Sequence, residues 1–350
     1  MTSGRFARIA SVASSLPERV VPNAYFESIV ETSDQWIVER TGIRERRFAG
    51  PGESTASLSA AAGEEALRRA GVPPQSVDLL IVCTCTPERI IPSTAAFVQT
   101  RLGLSCPAFD LNAACAGWVY GLSVADAQIR AGAADRVLVI GAEVLSRVLD
   151  MTDRTTCVLF GDGAGASLLE PGEEPGVIAS MLALDGTAAE LLTQPAGGTG
   201  EPITEAALKA RRNFLRMSDG QAVFKMAVTA MASACREVLE KAGRSPEELK
   251  LVIGHQANAR ILSALGKRLG LDPEKVLIDI EKVGNTSAAS IPIALDGAWR
   301  RGLLEPGDLV LTAAFGAGMA WGASLIRWTA APPEPAADTG SAKAARRAGA

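Results

Sequence analysis

Three side chains of this sequence are suited to nucleophilic catalysis: a thiol, an imidazole and a carboxamide. His255 is the only histidine among the 350 residues and lies in the segment GHQAN. Cys115 lies in the segment DLNAACAGW, and Asn285 lies in GNTSAAS. Imidazole is the side chain that most readily exchanges protons near neutral pH, and thiols activated by such a base are common enzyme nucleophiles. We therefore expect these residues to form one site that performs covalent catalysis.

The predicted secondary structure around Cys115 favours its ionisation. The run FDL before it reads as the end of a strand, and apolar residues after it recur at spacings typical of a buried helix face: Trp118, Leu122, Ala125 and Ile129. A cysteine in the first turn of a helix experiences the partial positive charge of the N-terminus, which favours the thiolate. The free backbone N–H groups of that turn can bind an oxyanion.

An internal repeat organises the chain. The sequence around Gly71 reads as helix, glycine stop, turn and strand, and the sequence around Gly243 reads the same way at an offset of 172 residues (243 minus 71). Carried onto Cys115, this offset predicts Ser287 as its counterpart. Continuous apolar strands, which are typical of sheets buried on both faces, occur in each half at 79–82, 137–140, 251–253 and 309–311.

The repeat predicts an α/β protein of two similar halves, with active residues drawn from both. Residues 1–172 form the half that carries the cysteine, and residues 173–330 form the half that carries the histidine and the asparagine. Residues 331–350 are rich in alanine, proline and charge, and predict a flexible tail.

Composition and charge exclude several classes of protein. The formal net charge is -4, which argues against a nucleic-acid binder with its usual basic stripe. No apolar run approaches the roughly 18 residues of a membrane span, and the first residues lack the apolar stretch of a secretory signal. The cysteines show no C-x-x-C spacing and have no histidine partners for zinc, so we expect no metal and free thiols in the cytoplasm: Cys83, Cys85, Cys106, Cys115, Cys157 and Cys235.

The order Cys, His, Asn also occurs in papain-like cysteine proteases. The separation of Cys115 and His255 lies within the usual range of those enzymes. However, the protease signature C-G-S-C-W is missing around the thiol, and the papain-like fold is not a duplicated α/β repeat. The protease interpretation is therefore the weaker one.

A longer series of motifs resembles one particular family. In order along the chain these motifs are TSDQWIVERTGIRER at 32–46, ACAG at 114–117, TDR at 152–154, FGDGAG at 160–165, HQAN at 255–258, GNTSAAS at 284–290 and FGAG at 315–318. With them the chain resembles β-ketoacyl-acyl-carrier-protein synthase III, the initiating condensing enzyme of the thiolase superfamily. The resemblance implies a thiolase-like fold with five layers, α-β-α-β-α, and a homodimer.

The resemblance also implies a reaction in two stages that needs no cofactor. Cys115 attacks an acyl-CoA thioester, and CoA leaves. Malonyl-acyl-carrier protein then enters, and His255 and Asn285 hydrogen-bond its thioester carbonyl, which stabilises the enolate formed as carbon dioxide departs. The carbanion attacks the acyl-cysteine to give a 3-oxoacyl-carrier protein. Backbone N–H groups of Cys115 and Ala317 are expected to bind the oxyanion, although family members usually carry glycine where this chain has Ala317.

Binding residues follow from the same resemblance. The expected CoA contacts are Thr32, Trp36, Arg40, Arg154, Gly220 and Asn258, with Trp36 and Arg154 on either side of the adenine. The expected acyl-pocket residues are Ile91, Phe160 and Phe315. The acidic carrier protein is expected to dock on Lys225, Arg260, Lys267 and Arg268. Three acidic residues are expected to be structural or peripheral: Glu143, Asp153 and Asp162.

Two questions of function stay open at this point. Ile91 occupies a place where short-chain members often have a phenylalanine that reaches into the partner's pocket, so we expect acyl groups longer or more branched than acetyl. A pathway-specific relative that loads a starter unit for a polyketide or other secondary metabolite has the same triad and is the alternative to fatty-acid initiation. The intact triad argues against a non-catalytic partner subunit, and Asn285 argues against a hydroxymethylglutaryl-CoA synthase, which would use a glutamate base.

Overall fold

The computed structural model describes residues 5–332, so most of the predicted tail, residues 333–350, lies outside the described residues. The strands are β1 (Phe6–Ser15), β2 (Val20–Pro22), β3 (Glu45–Arg47), β4 (Leu79–Cys83), β5 (Ala108–Leu111), β6 (Val137–Glu143), β7 (Gly163–Gly172), β8 (Val177–Leu184), β9 (Leu192–Thr193), β10 (Arg216–Met217), β11 (Leu251–Gly254), β12 (Leu309–Gly316) and β13 (Ala320–Arg327). The helices are α1 (Asn23–Glu27), α2 (Asp34–Thr41), α3 (Thr55–Ala70), α4 (Thr94–Leu102), α5 (Gly117–Arg130), α6 (Arg154–Cys157), α7 (Glu205–Lys209), α8 (Gly220–Ala242), α9 (Ala259–Leu269) and α10 (Ser290–Arg300).

Two large sheets share one topology. The first has the order β1-β7-β6-β4-β5, and the second has the order β8-β13-β12-β11. In both, the first two neighbouring pairs are antiparallel and the next pair is parallel. An isolated parallel bridge between Val252 and Val276 stands where the second sheet would have its fifth strand. The sequence repeat is therefore visible as a repeated order of strands.

Helices cover both outer faces and fill the space between the sheets. On the first sheet α3 packs against β1, β6 and β7, whereas α8 packs against β8, β12 and β13 of the second. Helices α5 and α10 contact strands of both sheets. The layers are thus α3/α4, first sheet, α5/α10, second sheet and α8/α9, which confirms the predicted five-layered α-β-α-β-α arrangement.

The central layer contains the predicted helix face. Within α5, the four residues Trp118, Leu122, Ala125 and Ile129 are all fully buried and belong to one apolar cluster with Ile291 and Leu295 of α10. Burying a large apolar side chain contributes roughly 1.5–3 kcal/mol. This cluster therefore fixes α5, and with it the turn before α5, between the two halves. None of the helices described between residues 5 and 332 is long and apolar enough to cross a membrane.

Two glycines allow close contacts between backbone segments just before the N-terminal ends of α5 and α10. A Cβ atom on Gly141 of β6 would lie 2.2 Å from the carbonyl oxygen of Ala288, and one on Gly316 of β12 would lie 2.6 Å from the backbone nitrogen of Cys115. Both distances are far below van der Waals contact, so only glycine fits at these positions. The segment around Ala288 thus rests on the first sheet, and the segment around Cys115 rests on the second.

The predicted counterpart of Cys115 is wrong by one residue. Short 3₁₀ turns precede α5 and α10, at Ala114–Ala116 and Ser287–Ala289. Each turn starts with a non-glycine residue in a left-handed conformation, Ala114 with φ 45° and Ser287 with φ 49°. The offset here is 173 residues (287 minus 114), because the second half has gained one residue before this point. Cys115 therefore corresponds to Ala288.

Candidate active site

One cavity collects residues from both halves. Cys115 of the first half and His255 and Asn285 of the second line its wall together. The other lining residues are Leu159, Phe160, Leu192, Met217, Gly220, Val223, Phe224, Ala227, Met231, Ala257, Asn258, Ile261, Phe315 and Gly316. Most of these side chains are apolar, so the three polar groups face a poorly hydrated space in which electrostatic interactions are strong.

Cys115 lies on the 3₁₀ turn immediately before α5, rather than in the first turn of α5 itself. The residue is 9% exposed, and burial raises the pKa of its thiol to about 12, although a hydrogen bond with Ser287 acts in the opposite direction. Burial thus opposes the thiolate that the helix N-terminus is expected to favour, and activation by the helix stays a prediction.

His255 follows β11, and its backbone N–H donates to the carbonyl of Ala313 at 2.7 Å. The next residue, Gln256, holds the loop: its amide donates to the carbonyls of Gly254 and Leu277 and accepts from the backbone N–H of Asp279. The imidazole is 2% exposed, its Nδ1 atom has no hydrogen-bond partner in the described structure, and burial lowers its pKa to about 3. His255 is therefore a neutral imidazole at physiological pH.

Asn285 is fixed by its backbone and by its own amide oxygen. Its N–H donates to the carbonyl of Leu159, and its carbonyl accepts from the N–H of Gly161, both at 2.9 Å. Its side-chain Oδ1 accepts from the backbone N–H of Ser287 at 2.9 Å. Because Oδ1 is occupied in this way, the amide NH₂ group is left to donate into the cavity.

Gly316, the last residue of β12, lies against Cys115, and a 3₁₀ turn at Ala317–Met319 follows it. The positive φ in this turn belongs to Gly318, at 126°, and Ala317 is not among the non-glycine residues with positive φ. The alanine found where family members usually carry glycine is thus compatible with the local backbone. An alanine keeps the backbone N–H that a glycine would offer as a hydrogen-bond donor.

Comparisons with known proteins agree with this architecture. The family model described as 3-oxoacyl-[acyl-carrier-protein] synthase III matches residues 109–194, and the model of the C-terminal part of the same family matches residues 239–328. A curated β-ketoacyl-[acyl-carrier-protein] synthase III from Roseiflexus sp. (strain RS-1) is 48% identical over 327 residues, which cover 93% of this chain and 99% of the relative. The chain belongs to the β-ketoacyl-acyl-carrier-protein synthase III family. It is an acyltransferase of the condensing-enzyme class.

Solved structures extend this similarity to the fold. The 3-oxoacyl-[acyl-carrier-protein] synthase III from Aquifex aeolicus VF5 is 46% identical, covers 92% of this chain and 100% of its own, and superimposes with a TM-score of 0.85. A priming β-ketosynthase from the R1128 polyketide biosynthetic pathway is 36% identical, covers 95% and 99%, and has a TM-score of 0.88. The two synthases III named here, at 48% and 46% identity, are more similar in sequence to this chain than the polyketide enzyme, and the polyketide alternative is not favoured.

In this member of the synthase III family, the residues expected around the adenine form a second cluster outside the cavity lining. The guanidinium of Arg154 lies 4.9 Å from the centre of the Trp36 ring, and that of Arg40 lies 5.6 Å from it. Arg154 also donates to the carbonyl of Glu31 at 2.7 Å. The hydroxyl of Thr32 is buried without a partner in the described structure. An aromatic base between two flat groups needs about 7 Å, twice a van der Waals contact. Arg154 must therefore move if a base is to enter.

Two of the expected CoA contacts, Gly220 and Asn258, line the cavity. Asn258 caps α9, which begins at Ala259. Its Oδ1 accepts from the N–H of Arg260, and its amide donates to the carbonyl of Arg40 at 2.9 Å. Asn258 therefore joins the cavity to the cluster around Trp36.

The expected acyl-pocket residues separate into two groups. Phe160 and Phe315 line the cavity, whereas Ile91 is 84% exposed and does not. Ile91 is thus not part of the pocket of its own subunit. The neighbouring Ile90, in the same segment between β4 and α4, is 81% exposed.

The four basic residues expected to bind the carrier protein are all exposed and lie on α8 and α9: Lys225, Arg260, Lys267 and Arg268. The guanidinium of Arg260 lies 5.8 Å from the ring centre of Phe224, a cavity-lining residue. Of the four basic residues, Arg260 therefore lies close to the cavity.

The three acidic residues expected to be structural differ in their surroundings. Asp153 caps α6, and Asp162 accepts from the backbone of Ala49 and from Ser146. Glu143, however, is fully buried at the end of β6 and interacts electrostatically with the Cys115 thiol. A carboxylate that ends an otherwise apolar strand is the sequence signal that could have revealed it.

The single histidine makes the predicted neutrality of His255 directly measurable. We expect ¹⁵N-imidazole NMR to show one neutral ring throughout the range from about pH 5 to about pH 9, because burial lowers the folded-state pKa to about 3. The unfolded chain, whose histidine titrates near about 6.5, binds more protons in the window between these values. The contribution of His255 to stability is therefore lost as the pH falls from about 6.5 towards 3.

The same protein in urea serves as the control for this titration, since its imidazole should titrate at the ordinary value. A folded-state midpoint between about 6 and about 7 would contradict the neutral assignment.

Proposed function

We propose that this synthase condenses an acyl-CoA starter with malonyl-acyl-carrier protein through an acyl-thioester on Cys115, giving a 3-oxoacyl-carrier protein and initiating fatty acid synthesis. The observation that supports the proposal most is the convergence of Cys115, His255 and Asn285 on one apolar cavity. A thiol, a neutral imidazole and an amide donor are the groups that such a reaction requires.

In the first stage, the Cys115 sulfur attacks the thioester carbonyl of acyl-CoA. Negative charge develops on the carbonyl oxygen as the C–S bond forms. The backbone N–H groups of Cys115 and Ala317 bind this oxyanion, and preorganised donors of this kind are worth roughly 10²–10³ in rate. The tetrahedral intermediate collapses, and CoA leaves with the electron pair of its C–S bond.

In the second stage, His255 and Asn285 donate hydrogen bonds to the thioester carbonyl of malonyl-carrier protein. Loss of carbon dioxide turns that carbonyl into an enolate, so the hydrogen bonds strengthen in the transition state. The low pKa of His255 suits this role, because a neutral imidazole donates without giving up its proton. The enolate carbon then attacks the acyl group on Cys115.

The substrates carry the reactive groups, so the proposed reaction uses no metal and no cofactor; CoA and the phosphopantetheine of the carrier protein belong to the substrates. The adenine of CoA is proposed to stack on Trp36 after displacing Arg154, with Arg40 on a phosphate and Thr32 on the base. The pantetheine arm then passes Asn258 and Gly220 towards Cys115.

The proposed assembly is a homodimer in the cytoplasm, with neither nucleic acid nor membrane as a partner. An exposed pair of isoleucines, Ile90 and Ile91, supports a self-association face. Ile91 would reach the acyl pocket of the second subunit from this face. The six free thiols are typical of proteins in a reducing compartment.

Intact-protein mass spectrometry after incubation with a panel of acyl-CoAs tests the nucleophile. We expect a stable acyl adduct on the wild type and none on Cys115→Ala. The Cys106→Ala variant, which removes a thiol that does not line the cavity, should keep the adduct. Acylation of the Cys115→Ala variant, or no adduct on the wild type with any donor, would overturn the proposal.

The same panel tests whether Ile91 limits the length of the starter. Ile91→Phe is expected to shift the preference towards acetyl-CoA by roughly 10-fold, because one or two methylenes change discrimination by about 1–3 kcal/mol. Ile90→Phe places the same ring one residue earlier and should leave the preference unchanged. An equal shift in both variants, or none in either, would contradict a role of Ile91 in the pocket.

Charge reversal tests the docking surface for the acidic carrier protein. Arg260→Glu is expected to raise the KM for malonyl-carrier protein roughly tenfold and to leave the rate of acylation by acyl-CoA unchanged, since rim charges mainly change association. Arg101→Glu, at an exposed position on α4 in the opposite outer layer, is the matched control. An unchanged KM in Arg260→Glu would argue against docking at α9.

A further inference from the structure

Arg46 is an arginine with no exposed surface. It is the middle residue of β3 and belongs to the motif at 32–46, yet the proposed reaction gives it no role. Burial lowers the pKa of its guanidinium to about 10, which still leaves a cation at neutral pH. Arginine is almost never fully buried unless it is paired, because the desolvation of a charge is costly. The position of this cation in the core therefore needs an explanation.

One end of the Arg46 guanidinium is held by β2 and α1. Its Nη1 atom donates to the side-chain oxygen of Asn23 at 2.8 Å and to the carbonyl of Val21 at 3.2 Å. The central carbon of the guanidinium lies 4.5 Å from the centre of the Phe26 ring, a distance at which the ring attracts a cation. The side chain of Asn23 is itself fixed, because its amide nitrogen donates to two further oxygens at 2.8 Å.

The other end of the guanidinium holds a segment beside the cavity. Its Nη2 atom donates to the carbonyl of Val158 at 2.6 Å. The first carbon of the side chain lies against the same region: a Cβ atom on Gly161 would be 3.1 Å from the Cβ atom of Arg46, and one on Gly284 would be 3.0 Å from it. A single side chain therefore contacts both of the backbone segments that meet at Asn285.

Asn285 depends on these segments for its position. An isolated parallel bridge pairs it with Phe160, in which its N–H donates to the carbonyl of Leu159 and its carbonyl accepts from the N–H of Gly161. Leu159 is the residue directly after the carbonyl that Arg46 binds. A displacement of that carbonyl therefore reaches the backbone of Asn285 through one peptide unit and one hydrogen bond.

Cys115 and His255 have anchors of a different kind. The backbone of Cys115 rests against Gly316 of β12, and the N–H of His255 donates to the carbonyl of Ala313 in the same strand. Neither of these anchors uses β3 or the segment 158–161. Loss of the Arg46 side chain should therefore disturb the amide of Asn285 and spare the thiol and the imidazole.

We propose that Arg46 is a positioning residue for Asn285: it fixes the amide that donates to the enolate during condensation. This inference rests on the proposed role of Asn285 in that stage. The planar fork of a guanidinium suits the place, because its two ends donate in different directions. The ammonium of a lysine is a single point donor and reaches only one of the two sides.

The expected effect of Arg46 is confined to one stage of the reaction. The hydrogen bonds to the malonyl thioester strengthen as the enolate forms, so a misplaced donor costs more in the transition state than in the bound substrate. Arg46 should therefore control the kcat of condensation. It should affect neither the KM for malonyl-carrier protein nor the acylation of Cys115.

Separate measurements of the two stages test the proposal. Arg46→Met keeps an unbranched side chain and removes its charge and its hydrogen bonds. Single-turnover acylation by acyl-CoA, followed by intact mass, should proceed at the wild-type rate. Condensation of the acylated enzyme with malonyl-carrier protein should be roughly 100-fold slower at unchanged KM, because a displacement of about 1 Å typically costs that much. An equal loss in both stages would overturn the proposal, since general damage to the fold has that pattern.

A double-mutant cycle shows whether Arg46 acts through Asn285. Asn285→Ala removes the amide, so the addition of Arg46→Met should slow condensation no further. A purely structural role would lower the rate by the same factor in both backgrounds. If the two losses multiply in this way, the proposal is wrong.

Arg47→Ala is the matched control variant. Arg47 is the next residue of β3, and neighbouring residues of a strand point to opposite faces. Its guanidinium donates to the carbonyls of Pro17 and Glu18, away from the cavity. Arg47→Ala should leave both stages unchanged, and a selective loss of condensation in this variant would contradict the specific role of Arg46.

The Arg46 variants are expected to fold, because β3 has attachments that do not use this side chain. The backbone N–H groups of Arg44 and Glu45 both donate to the carbonyl of Glu281, at 2.9 Å and 3.1 Å. Circular dichroism and thermal unfolding identify a variant that fails. If Arg46→Met is lost, Arg46→Lys carries the test, and it should slow condensation and spare acylation. A wild-type rate of condensation in Arg46→Lys would show that the fork is not needed.

These outcomes differ from a failure of the proposed function. That function fails if the wild type forms no acyl adduct, or if Asn285→Ala condenses as fast as the wild type, and the inference then fails with it. Where the wild type and Asn285→Ala behave as proposed, the Arg46 variants alone decide the inference.

Discussion

The functional centre depends on two places where one backbone touches another with no side chain between them. Gly141 in the first sheet meets Ala288, and Gly316 in the second sheet meets Cys115. Each sheet thereby supports the catalytic turn that belongs to the other half. A methyl group at either glycine would separate the halves, so the distance between the thiol and its partners is set by backbone contact and not by adjustable side chains.

This close contact excludes water, and exclusion of water sets the protonation states. The imidazole of His255 is neutral and the thiol of Cys115 retains its proton, because neither ion is solvated in the cavity. A neutral imidazole suits the donor needed for an enolate. A protonated thiol, in contrast, must be deprotonated before it attacks. Burial thus favours the condensation stage, which uses a neutral imidazole. It opposes the acylation stage, in which the Cys115 thiol must lose its proton.

The sequence was informative where a pattern is local or periodic. The repeat, the buried face of α5 and the five layers follow from apolar spacing and family motifs, and the residues Cys115, His255 and Asn285 stand out by type. Their protonation states depend on long-range burial, which no motif expresses. Cys115 corresponds to Ala288 and not to Ser287, because the second half has one additional residue before its 3₁₀ turn. The preceding helix and strand, which give the offset of 172 residues, do not show this insertion. Ile91 was expected to reach the acyl pocket of the partner subunit, and its exposure on its own subunit could be seen only in three dimensions.

The repeated architecture also says something about the history of the site. Two equivalent 3₁₀ turns precede two equivalent central helices, yet one turn presents a thiol and the other presents Ala288 at the same place. Ser287, which begins the second turn, hydrogen-bonds to Glu143 at the end of β6 in the first half. A duplication that yields two identical halves gives two equivalent turns. In this chain the turn before α5 carries the nucleophile, and the turn before α10 packs behind it. The different chemical roles of the two turns therefore arose after the duplication that produced the symmetric fold.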